Sequence, residues 1–313
     1  MEINYNASTK MLSGFPVIRH LGATGTCGES SPFIWHGRAM RLELMDESKG
    51  TDPYAPTRAL IRDRETGEVL SSFGEGCYYY SLYQENGTVY VLGTVSRLPQ
   101  LCGDTIRLFE STDLKTWKSR DLLCNPGWQY FNTSLTKGPD GYVLLMEANR
   151  PIELVGVSFT LFFATSPDLV HWTHMSPEKA FSKERYNGGP WMRYSRGWYY
   201  VISVTELPCQ RYTNYIFRTK DFDTWEVGFY NPLLSPTEED RKISPKAFGF
   251  TQEQLEEIKT GFLASSSDMD LCDWPEENKV LISYNLGNQL GFYYMAEAEV
   301  DGSLDDFLEA NFR

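Results

Sequence analysis

Three glutamates end otherwise apolar runs: Glu43 in MRLE, Glu147 in VLLME and Glu206 in VISVTE. An ionised carboxylate ending a buried strand is costly unless hydrogen-bonded or paired, so such positions are functional or salt-bridged. Further acids stand where a strand begins: Glu29 in CGESSP, Glu75 between two glycines, and Asp268 and Asp270 in DMDL. Several carboxyls crowded into a poorly solvated hollow do not ionise alike. Burial and repulsion raise some pKa values and arginines depress others, which separates proton donors from proton acceptors. Arg41, Arg62 and Arg193 are the cations expected to balance them.

Acids this far apart in the chain need a repeating architecture to meet. STDLKTW (111–117), SPDLVHW (166–172) and TKDFDTW (219–225) share one pattern, Ser/Thr-x-Asp-Leu/Phe-x-x-Trp, with aspartates at 113, 168 and 221, hence 55 and 53 residues apart. That period suits one four-stranded propeller blade. The Asp and Ser/Thr cap a turn, and the Trp anchors the next strand against its neighbour. Five units follow. First strands are expected at 31–37, 77–83, 132–138, 189–195 and 268–274, and second strands at 39–45, 88–95, 142–148, 198–206 and 279–285. If first strands leave one mouth, second strands return to it, which brings Glu43, Thr94, Glu147, Glu206 and Asn285 to the same rim. Segment 231–262 is an insertion between blades four and five, with a capping-box helix from Thr251 and Gln254, and is expected to wall a pocket. FPVIRH (15–20) would close the ring and remove an exposed sheet edge. The expectation is all-β: a single five-bladed β-propeller over 1–313.

Composition narrows the partners. The 42 acidic and 29 basic residues give a net charge of −13, a field that repels phosphate backbones and anionic lipid, so neither nucleic acid nor membrane is expected. The longest apolar run, 155–164, is too short to span a bilayer, and the N-terminus lacks a basic region followed by an apolar one. A cytoplasmic location is expected. The six cysteines show no paired spacing and read as reduced thiols; no metal or cofactor is expected.

Five units with Ser-x-Asp-Leu-x-x-Trp turns resemble the five-bladed β-propeller glycoside hydrolases, the superfamily of arabinanases, xylosidases and fructosidases that includes families 43, 32 and 117. The resemblance covers about residues 15–300. It implies a substrate site where the first strands begin, with a carboxylate base at the start of blade one. At that place the chain reads Cys-Gly-Glu-Ser-Ser-Pro (27–32), so Glu29 is the nearest acid. The starts of blades three and four, where such enzymes carry acids, read Phe-Asn-Thr-Ser (131–134) and Asn-Gly-Gly-Pro (187–190).

Glycoside hydrolysis needs two carboxyls flanking the bond, one protonated and one acting as base or nucleophile. Glu147 and Glu206, on adjacent blades, are the preferred pair; Glu29 is the alternative base and Asp270 a further candidate. Glu43, Arg41, Arg193, Asp268, Asn132, Trp191, Tyr78, Asn288 and Gln289 are expected to bind substrate. Each has a plainer reading: acids and arginines as ion pairs, aromatics as packing between blades, Asn288 as a turn residue. The expected function is an exo-acting glycosidase on short plant-wall oligosaccharides, arabinofuranosyl-like among them. A non-catalytic carbohydrate-binding propeller and a glycoside phosphorylase are the alternatives.

Overall fold

The repeated turn is built as its residues demand. Asp113 Oδ1 accepts from the amides of Lys115 (2.8 Å) and Thr116 (2.7 Å). Asp168 does the same for Val170 and His171, both 2.9 Å, and Asp221 for Asp223 and Thr224 at 2.9 and 2.8 Å. The residue after each Asp is left-handed, with φ of 59° at Leu114, 64° at Leu169 and 60° at Phe222, and its side chain is buried. The capped amides hold that backbone in an uncommon region. Trp117 then stacks on Phe73 of the preceding blade at 3.8 Å and donates to Ser71 Oγ.

The computed structural model describes residues 16–26, 29–46, 52, 54–288 and 292–313. Among them five four-stranded antiparallel sheets surround one axis. Their innermost strands are Ser30–Trp35, Cys77–Glu85, Gln129–Gly138, Gly188–Ser195 and Ser265–Trp274. The fifth blade is completed by Arg19–Gly25, which pairs antiparallel with Tyr293–Asp301. The ring is thus closed from the N-terminal side as expected, but a few residues later than FPVIRH. Small residues explain the shift: a Cβ on Gly22 would collide with the Lys242 carbonyl, against which this strand packs.

Apolar clusters fill the joints between blades 1 and 2, 2 and 3, 3 and 4, and 4 and 5. The joint between blades 5 and 1 is different. There the buried Glu297 accepts from Arg41 Nε at 2.6 Å and Arg64 Nε at 2.9 Å, and Arg41 also donates to the Lys246 carbonyl. The insertion runs over this seam. Asp240 meets His20 and Tyr284, and Ala23 exchanges backbone bonds with Lys242 and Ser244. Its helix α1, Gln252–Thr260, carries the expected capping box. A second helix, α2 (Leu304–Ala310), packs beneath blades 4 and 5; Ser303 caps it, accepting from the Asp306 amide, a Ser-x-x-Asp signal that the sequence reading misses. Expected as a pocket wall, the insertion contributes no residue to either hollow along the axis. It straps the closing joint through Asp240, Lys242 and Ser244 and packs Leu233, Leu234 and Ile258 into the core between blades 4 and 5. No described helix is long and apolar enough to cross a membrane.

Candidate active site

Four of the five innermost strands carry a bulge near their start, two steps along the partner facing three: Tyr78–Ser81, Tyr130–Thr133, Gly188–Trp191 and Ser267–Asp270. Bulges re-aim side chains and recur next to active sites. Three place a left-handed residue at the equivalent step: Tyr79 (φ 55°), Gly189 (φ 48°) and Asp268 (φ 48°). Asp tolerates that region with little strain; Tyr does so only where its surroundings hold it.

The bulges rim an axial cavity lined by Glu29 and Ser30, Ser81, Asn132 and Thr133, Gly189 and Pro190, and Asp268 and Asp270. Glu147 is 3% exposed beside it. It accepts from the Gly189 amide at 2.9 Å and from Asn132 Nδ2 at 3.2 Å. Ser31 Oγ donates to Asp270, and Asn285 Nδ2 to Asp268 at 3.1 Å. Gly189 cannot be another residue without loss: a Cβ there would run into Asp268 Oδ1.

Burial dominates the electrostatics. It pushes Glu147 up to about 8, with Asp268 adding to the rise and the Gly189 amide opposing it. Asp270 is raised to about 7, again by burial and Asp268, against the Ser31 hydrogen bond. Asp268 is raised by burial alone, opposed by Ser267 and Asn285. Glu29 lies well above its usual range through burial and the fields of Asp268, Glu147 and Asp270. Among the described residues none of the four is in an ion pair. Nor do they, or any other described His, Cys, Asp or Glu, form a group of three arranged to hold a metal ion.

An arc of aromatics flanks the acids. Ring contacts run from Tyr78 to Tyr79 (4.6 Å), Phe131 (5.5 Å), Phe159 (4.5 Å), Tyr186 (5.5 Å) and Tyr212 (5.4 Å). The acids raise the phenols of Tyr79 and Tyr186 further than burial does alone, which places both rings against the cluster.

Of the residues singled out from sequence, Glu29, Glu147, Asp268, Asp270, Asn132 and Tyr78 therefore meet at this end of the axis. Others do not. Glu206 is exposed and sits outside the cluster, its field reaching Tyr186 and Tyr212. Glu43 is held by Arg62 Nε at 2.8 Å and Arg41 by Glu297, so both serve packing, the plainer reading of an acid on a buried strand. Trp191 and Arg193 lie farther down the axis in a separate hollow, because the bulge ends before them. Asn288 closes the turn to Phe292, its amide donating to the Phe292 carbonyl and its Oδ1 accepting from the Phe292 amide. Gln289 lies outside the described residues. Sequence reading misses Tyr79, Phe131, Phe159 and Tyr186; the signal available is the aromatic density near each strand start.

No protein-family model matches the chain, and no curated protein matches it in sequence. Solved structures do match in shape. A glycoside hydrolase superposes with a TM-score of 0.65 at 12% identity, covering 97% of this chain and 98% of the other. A thermostable family-43 glycoside hydrolase gives 0.57 at 11% identity, covering 90% of each. The α-L-arabinofuranosidase Arb93A from Fusarium graminearum, in complex with an iminosugar inhibitor, gives 0.58 at 13%, covering 90% and 97%. The chain has the fold of these proteins. At such identities the likeness carries the propeller fold alone and leaves the chemistry to the side chains just described.

Proposed function

We propose that the protein is a glycoside hydrolase that trims short oligosaccharides from one end, using paired carboxyls in the axial cavity. The observation that carries this reading is the convergence of Glu29, Glu147, Asp268 and Asp270 from three blades on one cavity beside an aromatic arc. Glu147, held protonated up to about 8 by burial, is the general acid for the leaving oxygen. Asp270 is the base or nucleophile, because the Ser31 hydroxyl favours its ionised form. Asp268 and Glu29 hold sugar hydroxyls, and the charge of Asp268 helps burial keep Glu147 protonated. Tyr79 and Tyr186 supply faces on which a sugar ring stacks. An arabinofuranosidase of the same fold suggests a pentofuranosyl end group; the cavity as it stands, about 20 Å³, holds a single water, so its rim must open to admit a sugar ring. A cytoplasmic location would make imported fragments the substrate.

The test is turnover of a panel of nitrophenyl glycosides and plant-wall oligosaccharides. Glu147→Gln and Asp270→Asn should each lower kcat/KM at least about a thousandfold, while Glu206→Gln should stay within about tenfold. Azide should restore turnover to Asp270→Asn with an activated aglycone and not to Glu29→Gln. Binding of a sugar by calorimetry without any hydrolysis would instead identify a carbohydrate-binding propeller. Phosphate-dependent cleavage is disfavoured, since phosphate would face four acids without an arginine.

A further inference from the structure

The axis holds a second hollow at the end away from the acids, and its chemistry differs. Strands of all five blades line it, and its volume is about 220 Å³, room for roughly seven waters. Tyr83, Gln84, Trp191, Arg193 and Asp273 supply its polar and aromatic surface, with Leu304 of α2 at its edge. Arg193 stands apart from every other described arginine. Each of those has a hydrogen bond, an ion pair or a ring contact, whereas Arg193 has none. Asp273 lines the same hollow without closing on it; one of its oxygens accepts from the Leu304 amide at 2.8 Å. Arg193 is exposed to water at the hollow, and its charge reaches the Tyr83 phenol, whose pKa burial raises and Arg193 lowers. An arginine and a carboxylate that share a hollow but do not pair leave the space between them to a third group.

We propose that this hollow is a second ligand site, distinct from the acid-lined cavity, for a small hydroxylated carboxylate such as a sugar acid. Its carboxylate takes the planar guanidinium of Arg193, where two parallel hydrogen bonds fit. Its ring lies against Trp191 and Tyr83, and its hydroxyls donate to Asp273. One cation and a small volume match a monoanion better than a phosphate ester, which calls for more positive charge. The proposal does not depend on hydrolysis in the upper cavity.

D-glucuronate is the probe, with glucose and glucosamine as controls, titrated at pH 7 by ligand-observed NMR or calorimetry. Glucuronate should bind at least tenfold more tightly than either control. Arg193→Gln should weaken it tenfold or more with an unchanged melting temperature, Arg193→Lys should lie between, and Glu147→Gln should bind like the parent. Equal binding of glucose, retention in Arg193→Gln, or loss in Glu147→Gln alone would each overturn the assignment.

Discussion

At the scale of single residues, Gly189 does two things that only glycine can do together. Its φ of 48° turns its amide onto Glu147, and its missing side chain lets Asp268 approach. The amide stabilises the ionised form of Glu147 while the neighbouring acid stabilises the protonated one. Gly189→Ala should therefore disturb the acid more than the fold. We expect kcat/KM to fall about a hundredfold or more, and the basic limb of its pH profile, near 8 in the parent, to move; a profile unchanged in shape would refute the role of this backbone bond. Glu147 can be read from sequence because a carboxylate on an apolar strand is conspicuous, Asp270 because it stands at a strand start, and Glu29 because it is the acid nearest the blade-one position that the resemblance implies. Tyr79 and Tyr186 cannot. Which way Tyr79 points is set by a bulge, a one-residue insertion that no alternation pattern records, and Tyr186 lies in a segment without a repeat.

At the scale of elements, the closing joint is the one made of charge. Glu297 serves two arginines, Arg41 and Arg64, and all three are 3–5% exposed. Glu297→Ala would leave two buried cations without their shared partner, a loss of about 3–5 kcal/mol by the usual cost of breaking a buried pair. Thermal and urea unfolding should show it as a lower midpoint. Asp121→Ala, on an exposed pair with Arg107, should change stability by less than about 1 kcal/mol. A Glu297→Ala protein as stable as the parent would mean that the insertion alone holds the ring shut. The blades themselves are legible because their signals are local: a capped Asp turn and a Trp recur within each of three. The seam is not, since Arg41, Arg64 and Glu297 are contributed from opposite ends of the chain and nothing local pairs them. For the same reason the insertion reads in sequence as a pocket wall, although its partners are the N-terminal strand and the packed flanks of blades 4 and 5.

At the scale of the whole molecule, five sheets converge on a narrow axis, and that convergence brings four acids into a volume that cannot keep them all ionised. Protons are therefore part of the folded state. The carboxyls of Glu147 and Asp270 rise to about 8 and 7 in the native protein, against roughly 4.3 and 3.9 in an unfolded chain. Between those limits the native state binds more protons than the unfolded one, so unfolding free energy falls as pH rises. The stabilisation is complete below the unfolded values and is lost as pH passes through 7 and 8. Each tenfold gain in proton affinity on folding is worth about 1.4 kcal/mol, so either shift taken alone is worth roughly 4–5 kcal/mol, and the two together less than their sum because the groups are coupled. Carboxyls held low by arginine, Glu299 beside Arg19 among them, act in the opposite sense. Their contribution fades only in acid, which confines the test to a window of about pH 5–8.5. Over that window the parent should become steadily less stable in urea unfolding. A Glu147→Gln, Asp270→Asn double variant, which carries no proton to lose at these two sites, should show a shallower slope and exceed the parent by about 2 kcal/mol or more at the alkaline end. Parallel pH curves for the two proteins would mean that the acids are already relieved by water or a cation in solution, and the proton-donor role given to Glu147 would lose its physical basis.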